Sequence, residues 1–259
     1  MTAPQTPPHT GRVVLVTGAA GGIGSAIAEA YALDGAAVGL VDFDADAGRA
    51  LAARLGDAGH RVHFAQADVA NHAACAAACA DIEAALGAID TLVNNAGISP
   101  KHAGKPAPIW QMEPAEWHRV VDVNLHSVFN FVRILSPGMV DRKFGRIVSM
   151  SSVAGKAYLD IVAAHYGTTK AALIGMTRHL AGELGPHGIT VNALAPGRID
   201  TPMVAGAPRA ANEAVIDVTP LRRLGKPGEV ADACLFLTSP KADFITGQVV
   251  DVAGGWLMT

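Results

Sequence analysis

Tyr166 and Lys170 stand four residues apart in Tyr166-Gly167-Thr168-Thr169-Lys170. On a helix that spacing puts both side chains on one face. A cation held beside a phenol favours the phenolate, so a tyrosine with an ordinary pKa of about 10 can exchange a proton near neutrality. Ser152 lies fourteen residues before Tyr166. Its hydroxyl can hydrogen-bond a substrate oxygen and stabilise charge that develops there. Ser151 offers the same group, and the residues alone leave that choice open.

Many helices carry a Tyr-x-x-x-Lys by chance. Here it accompanies a glycine-rich turn, Thr17-Gly18-Ala19-Ala20-Gly21-Gly22-Ile23-Gly24. Glycines at 18, 22 and 24 allow tight curvature, close approach of a pyrophosphate and close packing of the next helix. That helix would start near Gly21 and Ile23 and leave its first N–H groups free for an anion. Asp42 ends the second apolar run. A carboxylate there can accept both adenosine ribose hydroxyls and repels the 2′-phosphate of NADP. Ala19 and Ala20 carry no basic group and Phe43 follows Asp42, so NAD is expected in preference to NADP. Asp68-Val69 ends the third run and could hold the adenine edge, or Asp68 could cap the helix before Asn71.

The elements that position these residues alternate. Apolar strand patterns at Val13–Thr17, Ala37–Val41, Arg61–Gln66, Ile89–Val93, Arg146–Met150, Thr190–Ala193 and Gln248–Val252 are separated by helical patterns. The latter include Ile23–Leu33, Ala45–Leu55, Ala73–Leu86, a long helix from Pro114 to Leu135, one through Tyr166 to Leu184, and Pro227–Leu237. Alternation of this kind implies parallel pairing with right-handed crossovers. The expected fold is α/β: a single-domain, Rossmann-like, doubly wound sheet of about seven parallel strands with helices on both faces. Ligands of such sheets bind beyond the carboxyl ends of the strands, where the motifs above fall. Residues 1–10 read as a flexible tail, 11–259 as the domain, and about 198–218, rich in Ala and Pro, as a mobile substrate lid. Trp110 and Trp117 read as packing residues.

Half of the 259 residues are hydrophobic, 17% are charged, and the net charge is −3. A nucleic-acid partner is not expected from that balance, nor a membrane span from runs this short. Cys75, Cys79 and Cys234 offer no disulfide framework, so a reducing cytoplasm is the default location. The ten histidines show no metal-ligand spacing, and no metal is expected.

From Val13 to about Gly255 the chain resembles the short-chain dehydrogenase/reductase family. The resemblance is carried by Thr17 to Gly24, Asn94-Asn95-Ala96-Gly97, Asn124, Ser152, Tyr166 with Lys170, and Pro196-Gly197 with Thr201. It implies a catalytic tetrad of Asn124, Ser152, Tyr166 and Lys170, and favours Ser152 over Ser151. It also implies that Asn94 braces the sheet, that Asn95, Ala96 and Gly97 line the cofactor channel, and that Pro196, Gly197, Ile199 and Thr201 close over the nicotinamide. Lys170 would lower the Tyr166 pKa and hold the nicotinamide ribose, and Asn124 would hold a water linking Lys170 to solvent. The implied activity is NAD-dependent interconversion of a secondary alcohol and a ketone by a homotetramer. A 3-oxoacyl-thioester reductase is the alternative enzyme. A non-catalytic NAD-binding sensor would be expected to have lost Tyr166 or Lys170. Lys101, His102, Lys105 and Arg209 could meet an acidic substrate or stand solvated.

Overall fold

The computed structural model describes residues 7–206 and 209–258. Among them seven parallel strands form one sheet: β1 (Val13–Thr17), β2 (Ala37–Asp42), β3 (Val62–Gln66), β4 (Thr91–Asn94), β5 (Gly145–Met150), β6 (Ile189–Pro196) and β7 (Val249–Val252). Their spatial order is β3-β2-β1-β4-β5-β6-β7. The connecting helices are α1 (Gly22–Leu33), α2 (Ala45–Asp57), α3 (His72–Leu86), α4 (Pro114–Val121), α5 (Ser127–Arg142), α6 (Ala164–Leu184), α7 (Pro202–Ala205), α8 (Arg209–Val218) and α9 (Pro227–Thr238).

Side chains alternate across a strand, so a sheet covered on both faces needs apolar residues at every position. In β1, Val13 and Leu15 join a core with α3, α5 and α6. Val14 and Val16 join the opposite core with α1, α2 and α9. The chain runs outward from β1 to β3, then crosses back to β4 on the other side of β1. The loops leaving β1 and β4 therefore diverge and open a crevice at the switch point.

Three expectations give way. The loose tail does not include its last described residues. His9 is 1% exposed, and its ring lies edge-on to Tyr31 at 5.0 Å. His9 Nδ1 is 2.5 Å from Asp34 Oδ2 and Nε2 is 2.9 Å from Thr238 Oγ1. Residues 1–6 of the expected tail lie outside the described residues. The long helix runs past Leu135: α4 passes through a π-helical turn (Asp122–His126) into α5, which ends at Arg142. Ser136-Pro137-Gly138 reads as a stop, because proline lacks an N–H and glycine favours termini. The buried stripe Phe131, Leu135 and Met139 nonetheless continues across it. Trp110 is 80% exposed and packs no core. The expected lid holds α7 and α8, with residues 207 and 208 outside the described residues.

Candidate active site

Helix α6 starts at Ala164, which places Tyr166 in its first turn and Lys170 one turn later. Lys170 Nζ lies 5.6 Å from the centre of the Tyr166 ring and donates to the Met150 carbonyl at 2.7 Å. The end of β5 thus fixes the ammonium. The two serines after β5 are separated by geometry. Ser151 Oγ donates to the Lys170 carbonyl at 2.8 Å and ties β5 to α6. Ser152 Oγ accepts from Ala154 N at 3.1 Å, and its side chain lies near enough to the Tyr166 phenol to pull the phenol's pKa down.

Burial drives the phenol and the ammonium toward their neutral forms. It raises the Tyr166 phenol, with the Ser152 side chain pulling the other way. It brings Lys170 down to about 8. Lys170 is not among the groups that act on the phenol in this way. The ammonium sits over the ring face and turns to the Met150 carbonyl.

Asn124 occupies the π-helical turn and is fully buried. Its Oδ1 accepts from Ile98 N at 2.8 Å, and its Nδ2 donates to Ile98 O at 3.0 Å and Thr169 Oγ1 at 3.4 Å. Both ends of the amide are committed, so its side chain clamps the loop after β4 to α6. A Cβ added at Gly97 would meet Lys170 Nζ at 3.4 Å and Asn124 Oδ1 at 3.5 Å, so the three converge.

A cleft of about 1380 Å³ runs along the strand ends. That exceeds the usual range for one drug-sized ligand and suits a dinucleotide with a substrate beside it. Gly18, Gly21, Gly22 and Ile23 line it from the β1 loop, and Asp42, Phe43, Asp68 and Val69 from the ends of β2 and β3. Asn95, Ala96 and Gly97 line it after β4, with Ser152, Tyr166 and Lys170 beyond them. Pro196, Gly197, Ile199 and Thr201 line it after β6. Of the residues assigned to the site from sequence, Gly24 and Asn124 do not line it. Gly24 is a packing glycine, since a Cβ there would sit 1.9 Å from the Gly18 carbonyl oxygen.

The cleft has the features a dinucleotide needs. No side chain caps the N-terminus of α1 at Gly21, which leaves its N–H groups to an anion. A Cβ at Gly22 would approach Thr201 Cγ2 at 3.4 Å, across the gap between the first and sixth strand ends. Thr17 Oγ1 accepts from Asn95 N at 3.0 Å and Ala96 N at 3.1 Å, which sets the two walls in register. Asn94 Nδ2 donates to Ser149 Oγ at 3.3 Å between β4 and β5. Asp42 Oδ2 accepts from Ala20 N at 2.8 Å and Oδ1 from Asp44 N at 3.0 Å, so the carboxylate is fixed at the cleft edge. Asp68 pairs with Arg119 at 3.0 Å, and Asn71 caps α3 instead of it.

Sequence reasoning missed Arg119, Leu159, Ile161, Val162 and Trp256, all of which line the cleft, whereas Arg198, which also lines it, opens the expected lid. One signal was available for three of them. Leu159, Ile161 and Val162 lie between Ser152 and Tyr166, and a segment strung between two site residues cannot avoid the site. Arg209 is 92% exposed and pairs with Glu213, whereas His102 pairs with Glu116 at 2.6 Å. Among the described residues no group of three or more His, Cys, Asp or Glu could hold a metal ion. No helix among them is long and apolar enough to cross a membrane.

Residues 18–257 match a family model described as enoyl-(acyl carrier protein) reductase. A 3-oxoacyl-[acyl-carrier protein] reductase from Brucella melitensis ATCC 23457 superposes with a TM-score of 0.95 at 50% identity, over 100% of this chain and 98% of that one. A Brucella melitensis 3-oxoacyl-[acyl-carrier protein] reductase solved with bound NAD gives 0.93 at 48% identity, over 100% and 98%. Acetoacetyl-CoA reductase of Shinella zoogloeoides is 41% identical over 247 residues, 94% of this chain and 98% of that protein. The chain belongs to the short-chain dehydrogenase/reductase family. Members of this family are NAD(P)-binding oxidoreductases acting on CH–OH groups, and the protein is an enzyme of that kind.

Proposed function

We propose that the enzyme uses NAD to interconvert a secondary alcohol and a ketone, with Tyr166 as general acid and base. The observation that carries this reading is the gathering of Ser152, Tyr166 and Lys170 in one cleft whose far end is set by Asp42. When bound, the nicotinamide takes up or supplies the hydride. In oxidation Tyr166 takes the hydroxyl proton, and in reduction it returns one to the carbonyl oxygen. The Ala154 N–H fills a lone pair of Ser152, which aims the serine proton at the substrate oxygen. Lys170 spends one N–H on Met150 and has two left to hold a ribose hydroxyl. Asn124 is a positioning residue that acts through Ile98 and Thr169.

Asp42 supports NAD over NADP, because a carboxylate already held by two N–H groups repels a 2′-phosphate, and Arg119 is engaged by Asp68. A 3-oxoacyl-thioester reductase is the second reading. It is favoured by half-identity to a protein so named, across the whole chain. A non-catalytic sensor is disfavoured by the intact Tyr166, Lys170 and Ser152. The reading includes a homotetramer working in the reducing cytoplasm, for which Cys75, Cys79 and Cys234 as buried free thiols are suited.

The test follows nicotinamide absorbance over secondary alcohols, ketones and 3-oxoacyl thioesters, with NAD(H) and NADP(H) in parallel and Tyr166→Phe as control. Turnover with NAD(H) that disappears in the variant is expected. Turnover only with NADPH would overturn the cofactor argument and promote the thioester reductase. Tight NAD binding with no turnover of any compound would favour the sensor.

A further inference from the structure

Two cations enter the cleft near Tyr166 and Ser152. Lys101 comes from the loop after β4 and Arg198 from the loop after β6, next to Pro196-Gly197. The Lys101 ammonium donates to the carbonyl of Ile161, in the segment between Ser152 and Tyr166, and so spans the catalytic end of the cleft. Arg198 is half-buried, and its Nε and Nη2 both donate to the neutral Asn212 Oδ1, at 2.9 and 2.7 Å. Among the described residues neither cation pairs with a carboxylate. Arg119, Arg146 and Arg223 do, with Asp68, Asp243 and Glu229. Three acids line the cleft. Asp42 and Asp68 are engaged at the adenosine end, and the exposed Asp160 bonds neither Lys101 nor Arg198.

We propose that Lys101 and Arg198 form an anion-holding subsite, so that the substrate carries a carboxylate or phosphate group beyond its reacting carbon. Burial lowers both cations, and Lys101 is lowered further by the charge of Arg198, which marks them as near enough to repel. Arg198 is partly withdrawn from water and Lys101 stands exposed beside it; two like charges with no counter-ion gain most from an anion placed between them. Each has N–H groups to spare: an ammonium has three and a guanidinium five. A tight turn holds the Lys101 loop in shape. His102 and Lys105 bond each other's backbone around Ala103 and Gly104, both at positive φ. Lys105 also lines the cleft and adds to the positive rim. The pyrophosphate of a dinucleotide has its own place at the start of α1. The carboxylate of a small hydroxy or oxo acid and the phosphate of a pantetheine-type thioester arm share this chemistry. The inference rests on the oxidoreductase reading only for which end of the cleft the substrate takes.

The test measures binding to the NADH-loaded enzyme by calorimetry, which needs no turnover. The probes are 3-hydroxybutyrate against 3-hydroxybutyramide, and 4′-phosphopantetheine against pantetheine. Wild type is compared with Lys101→Met, Arg198→Met and the double variant, with NADH affinity and thermal midpoint as checks on the fold. At least one charged probe is expected to bind roughly tenfold more tightly than its neutral partner, with that preference lost in the double variant and NADH affinity unchanged. The pair that shows the preference identifies the acid or the thioester arm as its source. Equal binding of charged and neutral probes by wild type would overturn the subsite, as would a preference that survives the double variant. An anion preference in a protein that turns over nothing would overturn the oxidoreductase reading instead.

Discussion

Lys170 is a lysine held where water scarcely reaches it, and its proton is correspondingly loose. Its pKa falls from the usual 10.5 to about 8, so between those values the unfolded chain binds more protons at this position than the folded one. Stability must then rise with pH across that window and be lost again as pH falls through about 8. The unfolding free energy of wild type minus that of Lys170→Met should rise between pH 8 and 10.5 by up to about 3 kcal/mol. Urea unfolding at both pH values reads it, and parallel curves for the two proteins would sink the argument. Tyr166 moves the other way, so alcohol oxidation, which needs the phenolate, should climb through the alkaline range. Tyr166→Phe should lower kcat by about 10²- to 10⁴-fold with little change in NAD affinity. Asp42→Asn keeps an oxygen for Ala20 N and removes the charge. It should raise the ratio of NADP to NAD in kcat/KM by roughly tenfold or more, and an unchanged ratio would place selectivity elsewhere. Residue types and order were enough to nominate Tyr166, Ser152 and Asp42. They could not give the sign of the Tyr166 shift, because burial is a property of the folded cleft and leaves no mark in a spacing.

Elements were legible where their period is simple. Alternating apolar faces drew the strands, and the glycine turn marked the start of α1. The π-helical turn at Asn124 was not legible, since an i→i+5 bond has no residue signature comparable to a cap or a proline. Yet that turn is what aims Asn124 at Ile98 and Thr169. The strap at His9 was hidden for another reason. A Pro/Thr-rich start looks solvated unless one knows that Asp34 and Thr238 converge from the ends of α1 and α9. His9→Ala would leave the Asp34 carboxylate without its partner and take one of several hydrogen bonds from Thr238, which keeps those to Tyr31 and Cys234. It should cost about 2–4 kcal/mol of unfolding free energy while kcat stays level, because the strap lies on α1 and α9 and contributes no residue to the cleft. A loss below about 0.5 kcal/mol, the range of ordinary surface substitutions, would show the strap to be incidental.

At the scale of the whole molecule, one topological fact organises function: the sheet reverses at β1 and β4, and the loops after β1, β4, β5 and β6 surround one cleft. The same topology leaves β7 as an edge strand, with Val250 exposed on it, Phe244 wholly exposed just before it and Phe236 exposed on α9. Unpaired strand edges and clustered apolar side chains in water mark association surfaces, and they support assembly through the C-terminal side of the sheet. Trp256, four residues beyond β7, lines the cleft, and its backbone N–H donates to the Ala253 carbonyl at 3.0 Å. Deleting residues 256–259 should therefore shift sedimentation toward smaller species and also raise the KM for substrate, although no residue of the Ser152–Tyr166 pair is touched. Phe244→Ser separates the two effects, because Phe244 does not line the cleft: it should weaken assembly and leave KM unchanged at concentrations where the oligomer persists. A truncated protein that sediments as before would count against C-terminal assembly. If its KM rose all the same, Trp256 would belong to the cleft alone, and any assembly would have to use another face, such as the one carrying the exposed Phe129 on α5.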